Sequence, residues 1–348
     1  MIDEQTEAVL ARLSEHFNSR VRSVASYGAH FEALWSALST STRGGKMLRP
    51  ALVLAAHRAL GAPRPGAVVD VAAAFELLHT AFLIHDDVID RDLTRRGAPN
   101  IGGVFRIRAL DHGADDNAAH DWADAAALLA GDLVLSHAQR FIALADLDPR
   151  TRRALLDLFD TAITASAAGE LADVTNSLRL PDATLEHVIA TEADKTAVYS
   201  FQAPLQAGAL LADAPPALVE QLSRIGRELG IAFQLTDDLL GVFGDESDTG
   251  KSTTSDLREG KTTPLILHAR TTTAWPLIAP LIGKRDLTDR EADAARRRLE
   301  EAGSRDFVER LAQQHGARAR TLLEDGLVPT DLADALMPLA TRSLERTR

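Results

Sequence analysis

The feature that most constrains this chain is an apolar helical run that begins near Val68 and ends in the acidic stretch Leu83-Ile84-His85-Asp86-Asp87-Val88-Ile89-Asp90-Arg91-Asp92. Asp86 and Asp90 are four residues apart, so on a helix they lie on one face, one turn from each other. Two carboxylates in this position repel each other, and a bound divalent cation removes the repulsion. Magnesium takes one or two carboxylates and completes its coordination with water and substrate phosphates.

A second acidic stretch, Phe233-Gln234-Leu235-Thr236-Asp237-Asp238, lies in another apolar helical segment roughly 150 residues further along the chain. Two acidic clusters on two largely apolar helices predict facing metal sites within a helical bundle. The pattern therefore indicates a cavity that holds a diphosphate through Mg²⁺.

Composition excludes several classes of function. The 348 residues are 45% hydrophobic and 25% charged, which is typical of a soluble globular protein with a substantial core. A net charge of −12 argues against nucleic acid as a partner, and the absence of cysteine excludes disulfides, thiolate zinc sites and cysteine catalysis. The acidic N-terminus is unlike a signal peptide, and Asp70 and Glu76 interrupt the longest apolar run, so we expect a cytoplasmic protein with no membrane span.

The rest of the chain is predicted to be helices joined by polar turns. Residues 3–39 have apolar side chains near helical spacing, whereas residues 98–121 are polar and irregular and are predicted to be a connection. No strand alternation and no repeat is present. The sequence therefore predicts one all-α domain spanning residues 1–348, with about ten helices or more, larger than a four-helix bundle.

The order of the motifs resembles the trans-isoprenyl diphosphate synthases, also called polyprenyl synthetases, and looks most like their bacterial geranylgeranyl diphosphate synthases. The resemblance runs from about Gly44 to Pro264. It rests on Gly-Gly-Lys-x-x-Arg-Pro at 44–50, the first acidic stretch, Arg95-Arg96-Gly97, Lys195-Thr196, Gln-x-x-Asp-Asp at 234–238, and two loop lysines, Lys251 and Lys261. It implies an isoprenoid-synthase-type helical bundle around a central cavity, a homodimer, and an enzyme that joins isopentenyl diphosphate to an allylic diphosphate.

The resemblance also implies a role for individual residues. Asp86, Asp90 and Asp237 are expected to bind Mg²⁺, with Asp87 and Asp238 supporting them; three Mg²⁺ ions are expected per active site, and Mn²⁺ is expected to substitute. The positions that match isopentenyl diphosphate binding are Lys46, Arg49, His79 and Arg96. Those that match allylic diphosphate binding are Arg95, Lys195, Thr196, Gln234, Lys251 and Lys261.

These residue types suit the implied chemistry. An allylic diphosphate must leave to form a carbocation, and metal ions with lysines neutralise the charge that grows on it. Isopentenyl diphosphate must be held without ionising, which suits a metal-free cluster of Lys, Arg and His. Its alkene attacks the cation, and the departed diphosphate takes the released proton, so no strong side-chain base is needed.

The second acidic stretch departs from the family pattern at one position. The pattern is Asp-Asp-x-x-Asp, and Gly241 stands where the last aspartate belongs. We expect activity to survive, because the first aspartate makes most of the metal contact. Asp245 is a partial substitute at best.

The length of the product is predicted from the residues before Asp86. In the family, bulky side chains four and five positions before the first aspartate form the floor of the chain-growth cavity; here these are Phe82 and Ala81. One bulky and one small residue favour a deeper cavity than that of a farnesyl (C15) synthase. We therefore favour a C20 product, geranylgeranyl diphosphate, with C15 as the alternative.

Three other functions compete with this one. A terpene cyclase also uses an aspartate-rich stretch with Mg²⁺, but it has no use for a cluster that binds a second diphosphate. A phosphohydrolase built on His85 and Asp86 would need further histidine ligands, which the sequence does not place. A non-catalytic partner subunit is favoured only by Gly241, whereas the complete first motif argues against it.

Overall fold

The computed structural model describes residues 4–42, 45–61, 65–178, 183–244 and 253–345, and nearly all of them are helical. The predicted all-α class is confirmed. Within these ranges the extended structure is confined to two short strands, β1 Thr94–Arg95 and β2 Ala98–Pro99, which pair antiparallel.

The helices follow each other along the whole described chain. They are α1 Glu4–Ser23, α2 Ala29–Ser41, α3 Leu48–Ala59, α4 Pro65–Ile89, α5 Ile101–Asp111, α6 Asp116–Leu144, α7 Pro149–Ser177, α8 Leu185–Glu192, α9 Ala203–Leu211, α10 Pro216–Phe243, α11 Ser255–Glu259, α12 Pro264–Arg270, α13 Trp275–Ile278, α14 Asp289–Glu301, α15 Ser304–Glu324 and α16 Thr330–Glu345. A π-helix, Ala193–Gln202, joins α8 to α9, and two 3₁₀ turns lie at Ala25–Tyr27 and Ala279–Leu281.

Two sequence-based expectations about helix boundaries are wrong. The predicted helix over residues 3–39 is broken between α1 and α2, where Gly28 has a φ of 98° that other residues rarely adopt. The predicted connection over residues 98–121 contains α5 and the start of α6. Asn100 caps α5 by accepting a hydrogen bond from the Gly103 amide at 2.8 Å.

By its contacts the chain divides into two compact units, Met1–Phe159 with Ala207–Asp213, and Asp160–Gln206 with Ala214–Arg348. The first unit is built around α4, which packs against α1, α3 and α6. Leu77 and Leu78 of α4 are fully buried, and the rings of Phe75 and Phe159 meet edge to face at 5.4 Å. Because α4 is covered on several sides, its sequence is nearly all apolar until the acidic end.

The second unit is built around α10, which packs against the π-helix, α15 and α16. Its core contains apolar side chains from α10, from the π-helix, from α15 and from the short helices between α10 and α15, among them Ala197, Leu235, Leu265 and Val308. The apolar stripe of α10 therefore fixes which face of the helix carries Asp237 and Asp238.

Two helices are long and apolar enough to cross a membrane by length and composition, Gly66–Ile89 and Asp116–Leu144. In the first, 72% of the apolar window is buried against the rest of the protein, as expected of a core helix; in the second, 39% is buried.

Candidate active site

The first acidic cluster lies at the carboxyl end of α4. Asp86 and Asp87 are in its last turn, and Asp90 follows it, with its amide bonded to the Asp86 carbonyl at 2.8 Å. Carboxylates here face the negative end of the helix dipole, which is electrostatically unfavourable. The cluster is therefore stable only beside positive charge.

Arg95 supplies positive charge to this cluster in the structure. Its Nη2 atom donates to Asp87 Oδ1 at 2.6 Å and to Asp86 Oδ2 at 3.3 Å, and its Nε donates to Asp87 Oδ1 at 2.8 Å. Burial raises the pKa of Asp87 to about 6, although Arg95 opposes the shift. Arg95, which the sequence assigned to a diphosphate, is thus held by carboxylates.

The Arg-Arg-Gly motif forms the tight turn between β1 and β2. Arg96 and Gly97 both have positive φ, 55° and 73°, as a two-residue hairpin turn requires. The turn places the partly buried Arg95 on the strand, against the acidic cluster, and leaves Arg96 exposed.

The residues predicted to bind isopentenyl diphosphate lie at the start of α3, on α4 and on the hairpin. Lys46 and Arg96 are exposed, His79 is partly buried, and Arg49 is buried in the first turn of α3. Glu76, one turn before His79 and Thr80, is 5% exposed, and Arg49 and Arg96 are the positive charges that act on it.

Glu76 is a buried carboxylate among the candidate residues that the sequence reasoning did not identify. Burial raises its pKa, and the two arginines oppose the shift. Its Oε2 atom is enclosed and accepts no hydrogen bond. Gly45 allows this approach, because a β-carbon there would lie 2.9 Å from Glu76 Oε1. A glutamate inside an otherwise apolar helix was the available signal.

The second acidic cluster lies near the end of α10, where Asp237 is exposed and Asp238 is 8% exposed. Gln234 Nε2 donates to Asp238 Oδ1 at 2.8 Å, so this predicted diphosphate residue is also occupied by a carboxylate. Burial and the nearby Asp256 raise the pKa of Asp238 to about 7.

Two carboxylates from other helices join this cluster, and the sequence reasoning identified neither of them. Glu192, at the end of α8, lies against Asp238; burial and this neighbour hold the pKa of Glu192 well above its usual value. Asp256, on α11, approaches Gly241 so closely that a β-carbon on Gly241 would collide with its Oδ2 atom. A carboxylate from another helix therefore lies where the side chain of the missing aspartate would begin.

Lys195 and Thr196 lie in the π-helix, a helix type that often marks functional positions. Lys195 Nζ lies 2.7 Å from Asp173 Oδ2 and 3.0 Å from Glu170 Oε2, both on α7. Gly169 makes this packing possible, because a β-carbon there would lie 2.7 Å from the Lys195 Cα atom.

The remaining predicted residues are partly within the described ranges. Lys261 Nζ lies 3.1 Å from Glu259 Oε2, at the end of α11. Ala81 is fully buried on α4 and Phe82 is partly buried. Lys251 and Asp245 lie outside the described residues.

The oxygen donors of these clusters fit a magnesium ion whose coordination is completed by substrate phosphates. Among the described residues, no three His, Asp or Glu side chains are arranged to hold a metal ion by themselves. Magnesium does not need such a cage, since it binds through one or two carboxylates and keeps water and phosphate ligands. In the second unit the enclosed Asp238 Oδ2 atom, which lies beside the Glu192 carboxyl and has no N–H donor, is a suitable oxygen donor, and in the first unit so is the acidic end of α4.

Comparison with known proteins identifies the family. The Polyprenyl synthetase family model matches residues 32–298. A geranylgeranyl diphosphate synthase of Methanosarcina mazei is 34% identical over 270 residues, covering 77% of this chain and 76% of that protein. A (2E,6E)-farnesyl diphosphate synthase of Mycobacterium tuberculosis is 32% identical over 348 residues, covering 97% and 89%.

The fold is also found in solved structures. A geranylgeranyl pyrophosphate synthase from Corynebacterium glutamicum, complexed with isoprenyl diphosphate and magnesium, superposes with a TM-score of 0.92 at 29% identity and covers 99% of each chain. The motif order, the two acidic clusters and these similarities agree. This chain belongs to the polyprenyl synthetase family.

Proposed function

We propose that the protein is a Mg²⁺-dependent trans-prenyltransferase that condenses isopentenyl diphosphate with an allylic diphosphate to a short all-trans prenyl diphosphate. The observation that carries this proposal is the acidic end of α4, where Asp86, Asp87 and Asp90 meet the negative end of the helix dipole beside Arg95. Such a site favours a bound cation. The Corynebacterium relative, solved with isoprenyl diphosphate and magnesium, supports the same assignment.

The reaction follows from what each cluster stabilises. The allylic carbon–oxygen bond breaks and leaves an allylic cation and diphosphate; the isopentenyl double bond then attacks the cation and forms the new carbon–carbon bond. A proton leaves the adjacent carbon for the departed diphosphate. Bound Mg²⁺ would supply positive charge to the leaving group. Asp86, Asp90 and Asp237 would hold the metal, with Asp87 and Asp238 in support, and we expect three ions, replaceable by Mn²⁺.

Basic residues then bind the two diphosphates. We assign Lys46, Arg49, His79 and Arg96 to isopentenyl diphosphate, with Glu76 orienting the two arginines. We assign Arg95, Lys195, Thr196, Gln234, Lys251 and Lys261 to the allylic diphosphate. In the structure Arg95, Lys195 and Gln234 bind carboxylates, so a diphosphate with its metal ions would exchange with these partners.

The product we propose is C20, with C15 as the alternative. Ala81 is small and fully buried on α4, whereas Phe82 is bulky and partly buried, which supports a floor with one small and one bulky residue. The relatives include a geranylgeranyl and a farnesyl diphosphate synthase, which supports a short chain.

We propose a cytoplasmic homodimer as the working form. α6 is apolar but little buried, and it exposes Leu128 and Leu129 at 48% and 58%. Ile107 and Leu110 on α5, which packs against α6, are also exposed. Exposed apolar side chains on two neighbouring helices favour an interface. Leu129→Glu should shift the protein to a monomer in analytical ultracentrifugation, whereas an unchanged mass would contradict this interface.

The test of function is a product analysis. Purified protein is incubated with Mg²⁺, labelled isopentenyl diphosphate and C5, C10 or C15 allylic primers, and the product length is read by chromatography. We expect a Mg²⁺-dependent C20 diphosphate. Cyclised hydrocarbon from a long prenyl diphosphate would instead indicate a terpene cyclase, and the absence of any turnover would indicate a non-catalytic subunit.

A further inference from the structure

A basic groove lies between α1, α4 and α6 in the first unit. It encloses about 400 Å³, which is within the range of small-molecule sites. Its charged lining is Arg12, Glu15, Arg20, Asp70 and Arg140. Phe141 and Leu144 provide an apolar wall, and Leu144 is 65% exposed.

Two of the three arginines in the groove are not neutralised. Arg12 donates to Asp70 at 2.8 Å and lies over the Phe141 ring. The Arg20 and Arg140 guanidinium groups, in contrast, make no ion pair or hydrogen bond with any described residue. In a chain of net charge −12, two such groups in one groove form a local positive site that attracts anions.

Two histidines at the groove are acted on by the same arginine charges: His16 lines the groove, and His137 packs against His16. The rings of His16 and His137 meet at 4.8 Å, and neither His16 Nε2 nor His137 Nδ1, both enclosed, has a hydrogen-bond partner. Burial lowers the pKa of His16 to about 3, and His137 and the nearby arginines, led by Arg20, add to the shift. Burial, then Arg20 and Arg140, lowers the pKa of His137 to about 4.

The groove is separate from the first acidic cluster. Asp70 lies sixteen residues before Asp86 on the same helix, which corresponds to about 24 Å along the helix axis. A ligand in the groove is therefore not a substrate at the acidic end of α4.

We propose that this groove is a second ligand site, which binds an amphiphilic phosphate ester. Arg20 and Arg140 hold the phosphoryl oxygens, because guanidinium groups bind phosphate through paired charge-assisted hydrogen bonds. Phe141 and Leu144 cover the apolar chain. Binding needs no metal ion, since three guanidinium groups line the groove and, of its two carboxylates, Asp70 is already bonded to Arg12.

The experiment is a calorimetric titration of the full chain in EDTA with geranyl monophosphate. We expect one site, and roughly tenfold or greater loss of affinity in Arg20→Gln/Arg140→Gln, because each change removes a charge-assisted hydrogen bond. Arg22→Gln/Arg285→Gln changes the net charge equally at exposed positions outside the groove and should bind like the wild type. Thermal melting of all variants excludes unfolding as the cause.

Imidazole NMR gives the second readout. The His16 and His137 signals should move on binding, and both pKa values should rise, since a bound anion offsets the arginine charges. Static signals for both rings, or equal affinity in the double variant, would overturn the proposal.

Further arms separate this site from others. If Arg96→Gln loses affinity while Arg20→Gln/Arg140→Gln keeps it, the ester binds at the proposed isopentenyl diphosphate residues. That result would overturn the proposal that the groove is the binding site. Inorganic diphosphate should bind more weakly than the ester, because it has no apolar chain. Equal affinity would overturn the claim that the groove binds an amphiphilic ligand. Binding to phosphatidic acid vesicles without binding to the soluble ester would also overturn the proposal, in favour of a membrane surface.

Discussion

The Oδ2 atom of Asp256 occupies the space that a side chain at Gly241 would take. The two residues come from α10 and α11, so the gap in the second acidic motif is filled by a carboxylate from a different helix. Asp256 is also the nearby charge that does most to raise the pKa of Asp238.

Restoring the aspartate should therefore lower activity. Gly241→Asp forces the Asp256 carboxylate to rotate away and adds a negative charge beside Asp238, and Gly241→Ala forces the rotation alone. Steady-state turnover at several Mg²⁺ concentrations measures the effect. Gly66→Ala on α4, which meets open space, is the matched control. Higher turnover in Gly241→Asp would show that the motif is incomplete without the third aspartate.

Gly169→Ala should destabilise the protein and weaken allylic substrate binding together. The new β-carbon would push against the backbone of the π-helix at Lys195, and overpacking of this kind costs about 1–3 kcal/mol. Urea unfolding and KM for the allylic substrate measure the two effects. Ala168→Ser, at the exposed neighbouring position, should change neither. Normal KM with lowered stability would separate Lys195 from substrate binding.

Asp86→Ala should abolish turnover. Removing a carboxylate that we propose to bind the metal would remove charge stabilisation of the leaving group, a loss on the order of 10²–10³-fold or more. Turnover under saturating Mg²⁺ measures it, with Asp146→Asn at an exposed position as the control. Near-normal rates in the Asp86 variant would refute the metal assignment.

Phe82→Ala should lengthen the product, because it removes the bulky residue from the expected floor of the cavity. Ala81→Phe should shorten it towards C15 for the opposite reason, provided that melting shows the fully buried position tolerates the ring. Chromatography of the products measures both. An identical product from wild type and Phe82→Ala would place the floor elsewhere.

Acid should destabilise the protein through His16 and His137. Their pKa values in the folded state are about 3 and about 4, below the usual 6.5. Between the folded-state value and 6.5, the unfolded chain therefore binds more protons than the folded protein does. The two histidines therefore carry no penalty above pH 6.5, and the penalty grows as the pH falls towards 4. At pH 5.5 each histidine lowers the free energy of unfolding by about 1 kcal/mol or less, after allowance for solvent screening.

The check compares urea unfolding at pH 7.5 and pH 5.5 in wild type and in His16→Phe/His137→Phe. The double variant should lose less stability on acidification. His187→Gln, at an exposed position, is the control and should follow the wild type. An equal loss in the double variant would assign the acid sensitivity to other groups.

The motif residues could be predicted from the sequence, but their partners could not. Asp86, Asp237 and Lys195 are identified by their order along the chain. Glu76 is marked only as a glutamate inside an apolar helix, and Glu192 and Asp256 have no signal in the sequence, because their contacts depend on which helices pack together. Glu192 is 46 residues from Asp238, and only the contact of α8 and the π-helix with α10 brings the two carboxyls into contact.

The errors in helix boundaries have a similar cause. Residues 98–121 are polar overall, and Gly102 and Gly103 are poor helix formers, so local propensity argues against a helix there. The structure forms α5 because its apolar residues, Ile101 and Phe105, are buried and because only glycine at 103 avoids a collision with the Leu93 carbonyl. Tertiary packing overrides propensity at this point.

If Asp86 holds the metal and Arg95 the diphosphate, as we propose, the bonds of Arg95 to Asp86 and Asp87 make the two ligands mutual effectors. A diphosphate that arrives alone must compete with two carboxylates for the guanidinium, and a cation that arrives alone must compete with the guanidinium for the carboxylates. A bound cation would release Arg95 for the diphosphate, and a bound diphosphate would release Asp86 and Asp87 for the cation. By thermodynamic reciprocity, the factor by which Mg²⁺ tightens diphosphate binding equals the factor by which diphosphate tightens Mg²⁺ binding.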